Sequence, residues 1–122
     1  MKSFFLVSAL CLVSFSIEAQ TLFCSGGVSQ DGKSQVSAVI SSDVEASVVT
    51  TYVGYSDSRT TILPFTSAGF YSFSEGDCSD QTYGGHDYIL TINGDTATYD
   101  YSWCDDDGWY GYQTYTLKCT EK

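Results

Sequence analysis

The chain is poor in the groups that most protein chemistry uses. It contains a single histidine, His86, a single arginine, Arg59, a single asparagine, Asn93, and a single proline, Pro64. Lys and Arg total 5 against 15 Asp and Glu, for a formal net charge of −10. Binding to nucleic acid rests mainly on cations that neutralise phosphates, and anionic membrane surfaces make the same demand, so neither is expected as a partner. The lone asparagine lies in "NGD", which leaves no N-glycosylation sequon. With one proline, well-spread glycines, no repeat and no low-complexity run, nothing marks a linker at which the chain would divide.

These scarcities also narrow the chemistry. A nucleophilic triad needs a base beside its nucleophile and a third group to orient that base. His86, in the turn-like "YGGHD", is the only imidazole and reads as a solvent-facing loop residue, and there is no GxSxG. Carboxylates are abundant, but a glycosidase pair is defined by a separation in space. A small secreted hydrolase is therefore ranked behind binding roles, and no catalytic residue and no cofactor is expected. The cysteines form no CxxC and no Cys/His cluster, which argues against structural zinc. The acidic run Asp105, Asp106, Asp107 before Gly108 invites comparison with a calcium loop. Setting Gly108 at that loop's glycine puts Trp103 at the first ligand position and Thr114 at the last, where Asp and Glu are needed. No metal site is expected.

The first residues carry a different kind of information. Lys2 followed by "FFLVSALCLV" and the small-residue ending "SIEA" reads as a cleaved secretory signal over residues 1–19. The apolar run is shorter than the roughly 20 residues a spanning helix needs, so an anchor is not expected. Residues 20–122 then form a single domain, secreted and extracellular, still at net charge −10 because the signal takes out Lys2 and Glu18 together. Cys11 leaves with the signal. Cys24, Cys78, Cys104 and Cys119 remain, an even set in an oxidising compartment, which reads as two disulfides. Of the three pairings, Cys24–Cys119 with Cys78–Cys104 is favoured. The first ties the ends of the domain together, and closing a loop of about 100 residues is worth roughly 4 to 5 kcal/mol in the chain-entropy model.

The strongest local pattern is "DYILTINGDTATYDYSW", residues 87–103. Asn93-Gly94 is the preferred pair for a two-residue type I′ hairpin turn, which would set 92 opposite 95, 90 opposite 97 and 88 opposite 99. One face then carries Tyr88, Leu90, Ile92, Ala97, Tyr99 and Tyr101, and the other the polar residues, with Ile89 the one misfit. Trp103 continues the inner series and is expected in the core. In "YGYQTYTLKC", Tyr115, Leu117 and Cys119 share an inner face while Tyr110, Tyr112, Thr114, Thr116 and Lys118 share the outer one. Upstream, "SQVSAVI", "ASVVTTYVGY", "RTTILPF" and "GFYSFS" are strand-like in their Val, Thr, Ile and aromatic content.

The fold expected is all-β, an antiparallel sandwich or small barrel of six to eight strands. A rival reading places a helix at residues 43–53, where Ser42 and Glu45 fit a capping box and Gly54 a stop, giving an α+β fold with one helix on a sheet. For a binding surface, the candidates are Trp109, Tyr110 and Tyr112 with Asp105, Asp106 and Asp107. Exposed flat rings beside acidic groups suit a protein partner or a polysaccharide, and ordinary cross-strand pairing of Tyr110 with Tyr112 is the plainer alternative.

The signal segment, "LFC" near the expected mature start, "DYILTINGDTATY" and the closing "KC" together resemble the small, disulfide-stapled secreted effectors of plant-associated fungi. That resemblance implies a non-enzymatic virulence protein that binds an extracellular or host protein. A carbohydrate-binding module is the alternative. Some such effectors are similar to a secreted fungal ribonuclease, which would match the helix at 43–53. This chain departs from them at Leu22, where an aromatic is expected, and the ribonuclease chemistry uses more than one histidine whereas only His86 and Arg59 are on hand.

Overall fold

The structure is a computed structural model that describes residues 20–121. The expected signal segment lies outside the described residues. Among those described, eight strands follow one another in order: β1 (Thr21–Val28), β2 (Ser34–Ser41), β3 (Glu45–Tyr52), β4 (Ser58–Ser67), β5 (Phe70–Glu75), β6 (Gly85–Asn93), β7 (Thr96–Cys104) and β8 (Tyr110–Glu121). Each pairs antiparallel with the next, and β8 pairs with β1, so the sheet closes into a barrel without free edges.

Alternation within each strand builds the interior. In β2, Ser34, Val36, Ala38 and Ile40 point inward and are buried, while Gln35, Ser37 and Val39 face solvent. The same period of two selects Tyr88 and Leu90 from β6, Ala97 and Tyr99 from β7, and Tyr115, Leu117 and Cys119 from β8. The faces expected for residues 87–119 are those observed, including Ile89 turned outward.

The hairpin register differs from the expected one. Asn93 pairs with Thr96, Ile92 with Ala97 and Leu90 with Tyr99, a slip of two residues. The central turn residues are Gly94 and Asp95, with Gly94 alone in the left-handed region (φ 66°), as a type II′ turn asks of its first central position; a type I′ turn would need positive φ at both. An even slip leaves every side chain on its face, which is why the inner set survived.

The helix at 43–53 is also corrected. Residues 45–52 are strand β3, paired along its whole length with β2. Val48, Val49, Thr50 and Thr51 are stiff β-branched residues that favour the pleat, and Ser42–Val44 form a tight turn in which Asp43 takes φ 60°. No helix occurs among the described residues, so the ribonuclease-like arrangement of one helix on a sheet falls with it.

Two disulfides staple the barrel, with the expected partners. Cys24 and Cys119 face each other directly across β1 and β8, so this bond locks the first strand to the last where the barrel closes. Cys78–Cys104 fastens the β5–β6 loop to the end of β7. Two disulfides are consistent with an extracellular protein.

The interior is divided along the barrel axis. Short turns at 42–44, 68–69 and 94–95 gather at one end, which an aliphatic plug fills; Ile40, Leu63, Leu90 and Leu117 are fully buried there. Each such leucine or isoleucine contributes about 1.5 to 3 kcal/mol by leaving water. The longer loops, 29–33, 53–57, 76–84 and 105–109, gather at the other end and surround a mouth.

Candidate functional site

Toward the mouth the inward series changes character in strand after strand. In β3, Ala46 and Val48 give way to Thr50 and Tyr52; in β4, Leu63 is preceded by Thr61 and Arg59; in β8, Leu117 and Tyr115 are preceded by Gln113. These polar and aromatic ends enclose a hollow of about 140 Å³ whose lining also includes Ser34, Tyr88, Tyr99, Tyr101 and Trp103. Two more open hollows adjoin it. One, of about 370 Å³, lies among Tyr52, Tyr55, Asp57 and Arg59; the other, of about 290 Å³, lies among Arg59, Glu75, Asp80, Tyr83 and His86. Arg59 borders all three and is the only cation that does so among the described residues.

Arg59 also closes a weak place in the wall. The β4–β5 ladder consists of two pairs near the plug end, Phe65 with Tyr71 and Ser67 with Phe70. Nearer the mouth, side chains span the gap instead. Arg59 Nη2 donates to the Tyr88 hydroxyl at 3.0 Å, that hydroxyl donates to Glu75 Oε1 at 3.0 Å, and the Arg59–Glu75 ion pair measures 3.6 Å. The guanidinium stands 6.0 Å from the centre of the Tyr88 ring. Both charged side chains are about half exposed, where an ion pair adds at most about 1 kcal/mol, so the pair serves mainly to hold Arg59 in position.

A row of rings forms one side of the mouth. Phe73 stacks on Tyr88 at 6.1 Å, Tyr88 on Tyr101 at 5.1 Å, and Tyr101 on Trp103 at 5.4 Å. His86 lies nearly parallel to Tyr101, at 5.9 Å. Its Nε2 is 2.8 Å from the Tyr83 carbonyl, an acceptor, so Nε2 carries the proton and in the neutral ring Nδ1 accepts from the Tyr101 hydroxyl at 2.9 Å. Within the same lining, the Ser34 and Tyr115 hydroxyls share a hydrogen bond of 2.9 Å.

Burial pushes the Tyr88, Tyr99 and Tyr101 phenols above their ordinary range; at Tyr88 the hydrogen bond to Glu75 adds to it. All three therefore stay protonated at neutral pH. The linkage has a definite sign. Above about pH 10 the unfolded tyrosines lose protons while these three keep theirs, so the folded state binds more protons and stability falls as pH rises. Urea midpoints measured from pH 8 to 11 are expected to drop above about pH 10. A flat profile across that interval would contradict the burial of these rings.

The candidate residues chosen from sequence lie elsewhere. Trp109, Tyr110 and Tyr112 are 72%, 68% and 66% exposed, on the outer side of the mouth, with Tyr110 and Tyr112 tilted against each other at 6.4 Å. Asp105 is spent on its own turn: its Oδ1 accepts the N–H groups of Asp107 at 3.0 Å and Trp109 at 2.9 Å. Asp106 and Asp107 are exposed beside it. Two expectations are corrected. Trp103 is half-buried at the mouth, packed over Gly111, and stands outside the buried core cluster. His86 belongs to strand β6 and turns inward, since its position pairs with Trp103 on the inner face.

Arg59, Glu75, Tyr52 and Gln113 were not singled out from the sequence as site residues. The available signal was the change from aliphatic to polar at inward positions near one end of several strands. Comparison of the chain with family models, with curated proteins and with solved structures finds no match in any of the three.

Proposed function

We propose that this chain is a secreted, non-enzymatic binding protein that takes its ligand into the mouth of the barrel. The observation that carries the reading is the convergence of three adjoining hollows on Arg59. An eight-stranded barrel has an interior just wide enough for packed side chains or for one small ligand, and barrel mouths are common ligand sites. Here the plug end serves the first purpose and leaves the mouth for the second. A binding role, as opposed to catalysis, is supported by how His86, Glu75 and Asp80 are engaged at the mouth. Both nitrogens of His86 have partners, Glu75 is held by Arg59 and Tyr88, and Asp80 Oδ1 accepts the backbone N–H groups of Thr82 and Tyr83.

Screening small polar and aromatic fragments by ligand-observed NMR tests this. Arg59→Met keeps the bulk of the side chain and removes its donors. It is expected to weaken mouth-binding fragments about tenfold or more, as loss of a charged hydrogen bond does, with little change in melting temperature. Equal binding to both proteins would exclude Arg59 from the site.

A second reading is favoured by the exposed trio Trp109, Tyr110 and Tyr112. Aromatic residues of this kind anchor protein interfaces, and a net charge of −10 favours a cationic protein, the role that an effector-like chain would need. Tyr110→Ala and Tyr112→Ala are expected to change stability by less than about 1 kcal/mol, because neither ring fills the core. Capture of a host protein that is lost in these variants, with fragment binding at the mouth intact, would separate this surface from the mouth.

A further inference from the structure

We infer that the ligand of the mouth is a neutral six-membered sugar ring, free or at the end of a glycan chain. This rests on the mouth being the binding site and adds the class of molecule it takes. Size comes first. The inner hollow of about 140 Å³ is close to the roughly 150 Å³ of a cavity known to hold benzene, so it seats one six-membered ring. Substituents on that ring, or the next residue of a chain, have room in the two open hollows on either side of Arg59.

The lining then selects among rings of that size. The hydroxyls of Ser34, Thr50 and Thr61, the Gln113 amide and the phenols of Tyr52 and Tyr99 belong to residues bordering the hollow. Among the described residues no fully buried side-chain nitrogen or oxygen of a residue that is itself not exposed lacks a hydrogen-bond partner, so a polar atom of such a lining residue left without one is reached by water. A hydrocarbon ring would strip such atoms of water and return nothing, at about 1 to 3 kcal/mol for each group left unsatisfied. A sugar hydroxyl both donates and accepts, and the lining supplies both: Arg59 donates, and the hydroxyls and the Gln113 amide do either.

Charge excludes the acidic alternatives. Arg59, the only cation among the described residues that line the three hollows, is already balanced by Glu75. The chain's net charge of −10 repels an anion approaching from solution. A uronic acid, a carboxylate or a phosphate would meet both obstacles, whereas a neutral sugar meets neither.

The test uses Trp103 as the reporter in a Trp109→Phe variant, which removes the exposed outer tryptophan. Its fluorescence is titrated with the methyl glycosides of glucose, galactose, mannose, xylose and N-acetylglucosamine, with glucuronate, and with phenol. At least one neutral glycoside is expected to give a saturable change that salt between about 0.05 and 0.5 M leaves unaltered. Thr61→Val and Gln113→Leu, both checked by thermal melts, should weaken that binding by about five- to tenfold, the effect of one lost hydrogen bond. Saturation by monosaccharide glycosides would identify a free sugar as sufficient. Response only to oligosaccharides, with retention on an insoluble polysaccharide, would identify a chain end. Response to phenol or glucuronate with none to neutral sugars would overturn the sugar assignment and leave the mouth as the site. Silence of Trp103 toward all of these and toward the fragment set would overturn both.

Discussion

Replacing Cys24 and Cys119 together by alanine is expected to cost about 4 to 5 kcal/mol, the largest loss of any change considered. The bond closes a loop with a sequence separation of 95 and joins the strands at which the barrel itself closes. Without it, the unfolded chain regains the freedom of nearly the whole domain. The folded barrel must also hold β1 against β8 by backbone hydrogen bonds and apolar contact alone. Total stability of a domain this size is about 5 to 15 kcal/mol, so the variant should sit near the limit of folding at body temperature. Removing Cys78–Cys104 should cost less, about 3 to 4 kcal/mol, because its separation is 26 and it fastens a loop at the rim. Equilibrium urea unfolding of the two double mutants checks the order. A reversed order, or a loss below about 1 kcal/mol for the Cys24–Cys119 pair, would contradict this reading of the closure.

Leu117→Ala should follow, with a loss of about 3 to 5 kcal/mol. Leu117 is fully buried, lies opposite Ala97 across β7 and β8, and faces Gly27, where an added Cβ would come within 3.2 Å of the leucine Cγ. Its neighbours are small, so they cannot grow into the space that truncation leaves. The strand that carries it is hydrogen-bonded to β1 on one side and β7 on the other and resists collapse, which places the cost in the upper part of the range for buried leucines. Unfolding midpoints at an unchanged dependence on denaturant would report it. A loss under about 1.5 kcal/mol would mean that the plug end is less tightly packed than the structure shows.

The parts of the molecule legible in the sequence are those governed by local periodicity. Alternation in residues 87–103 and 110–119 identified the inner faces of β6, β7 and β8, and Val, Thr and Ile content marked β2 to β4. The hairpin register was harder because Asn93-Gly94 and Gly94-Asp95 both make sound two-residue turns, and the choice lies in the backbone angles of the folded hairpin. At 43–53 the capping residues competed with β-branched ones, and pairing with β2 on one side and β4 on the other decided for strand. The mouth was harder still. Arg59, Glu75, Tyr88 and Gln113 come from β4, β5, β6 and β8, and nothing in their spacing along the chain brings them together before the barrel closes. In "WCDDDGWYGY", residues 103–112, the aromatics lie close together in sequence. The structure divides them between two surfaces: Trp103 lines the mouth, whereas Trp109, Tyr110 and Tyr112 face solvent.

The division of the barrel into a plug that holds the fold and a mouth that binds is tested most directly by mapping a bound ligand on the backbone. The measurement is the change in amide ¹H–¹⁵N shifts of the native protein on adding the tightest-binding sugar or fragment from the screens. The largest changes are expected at Thr50–Tyr52, Arg59–Thr61, His86–Tyr88, Tyr101–Trp103 and Gln113, which the fold gathers from five strands onto one opening. Changes concentrated instead at Trp109–Tyr112, with the mouth undisturbed, would contradict the assignment and return the function to the outer face.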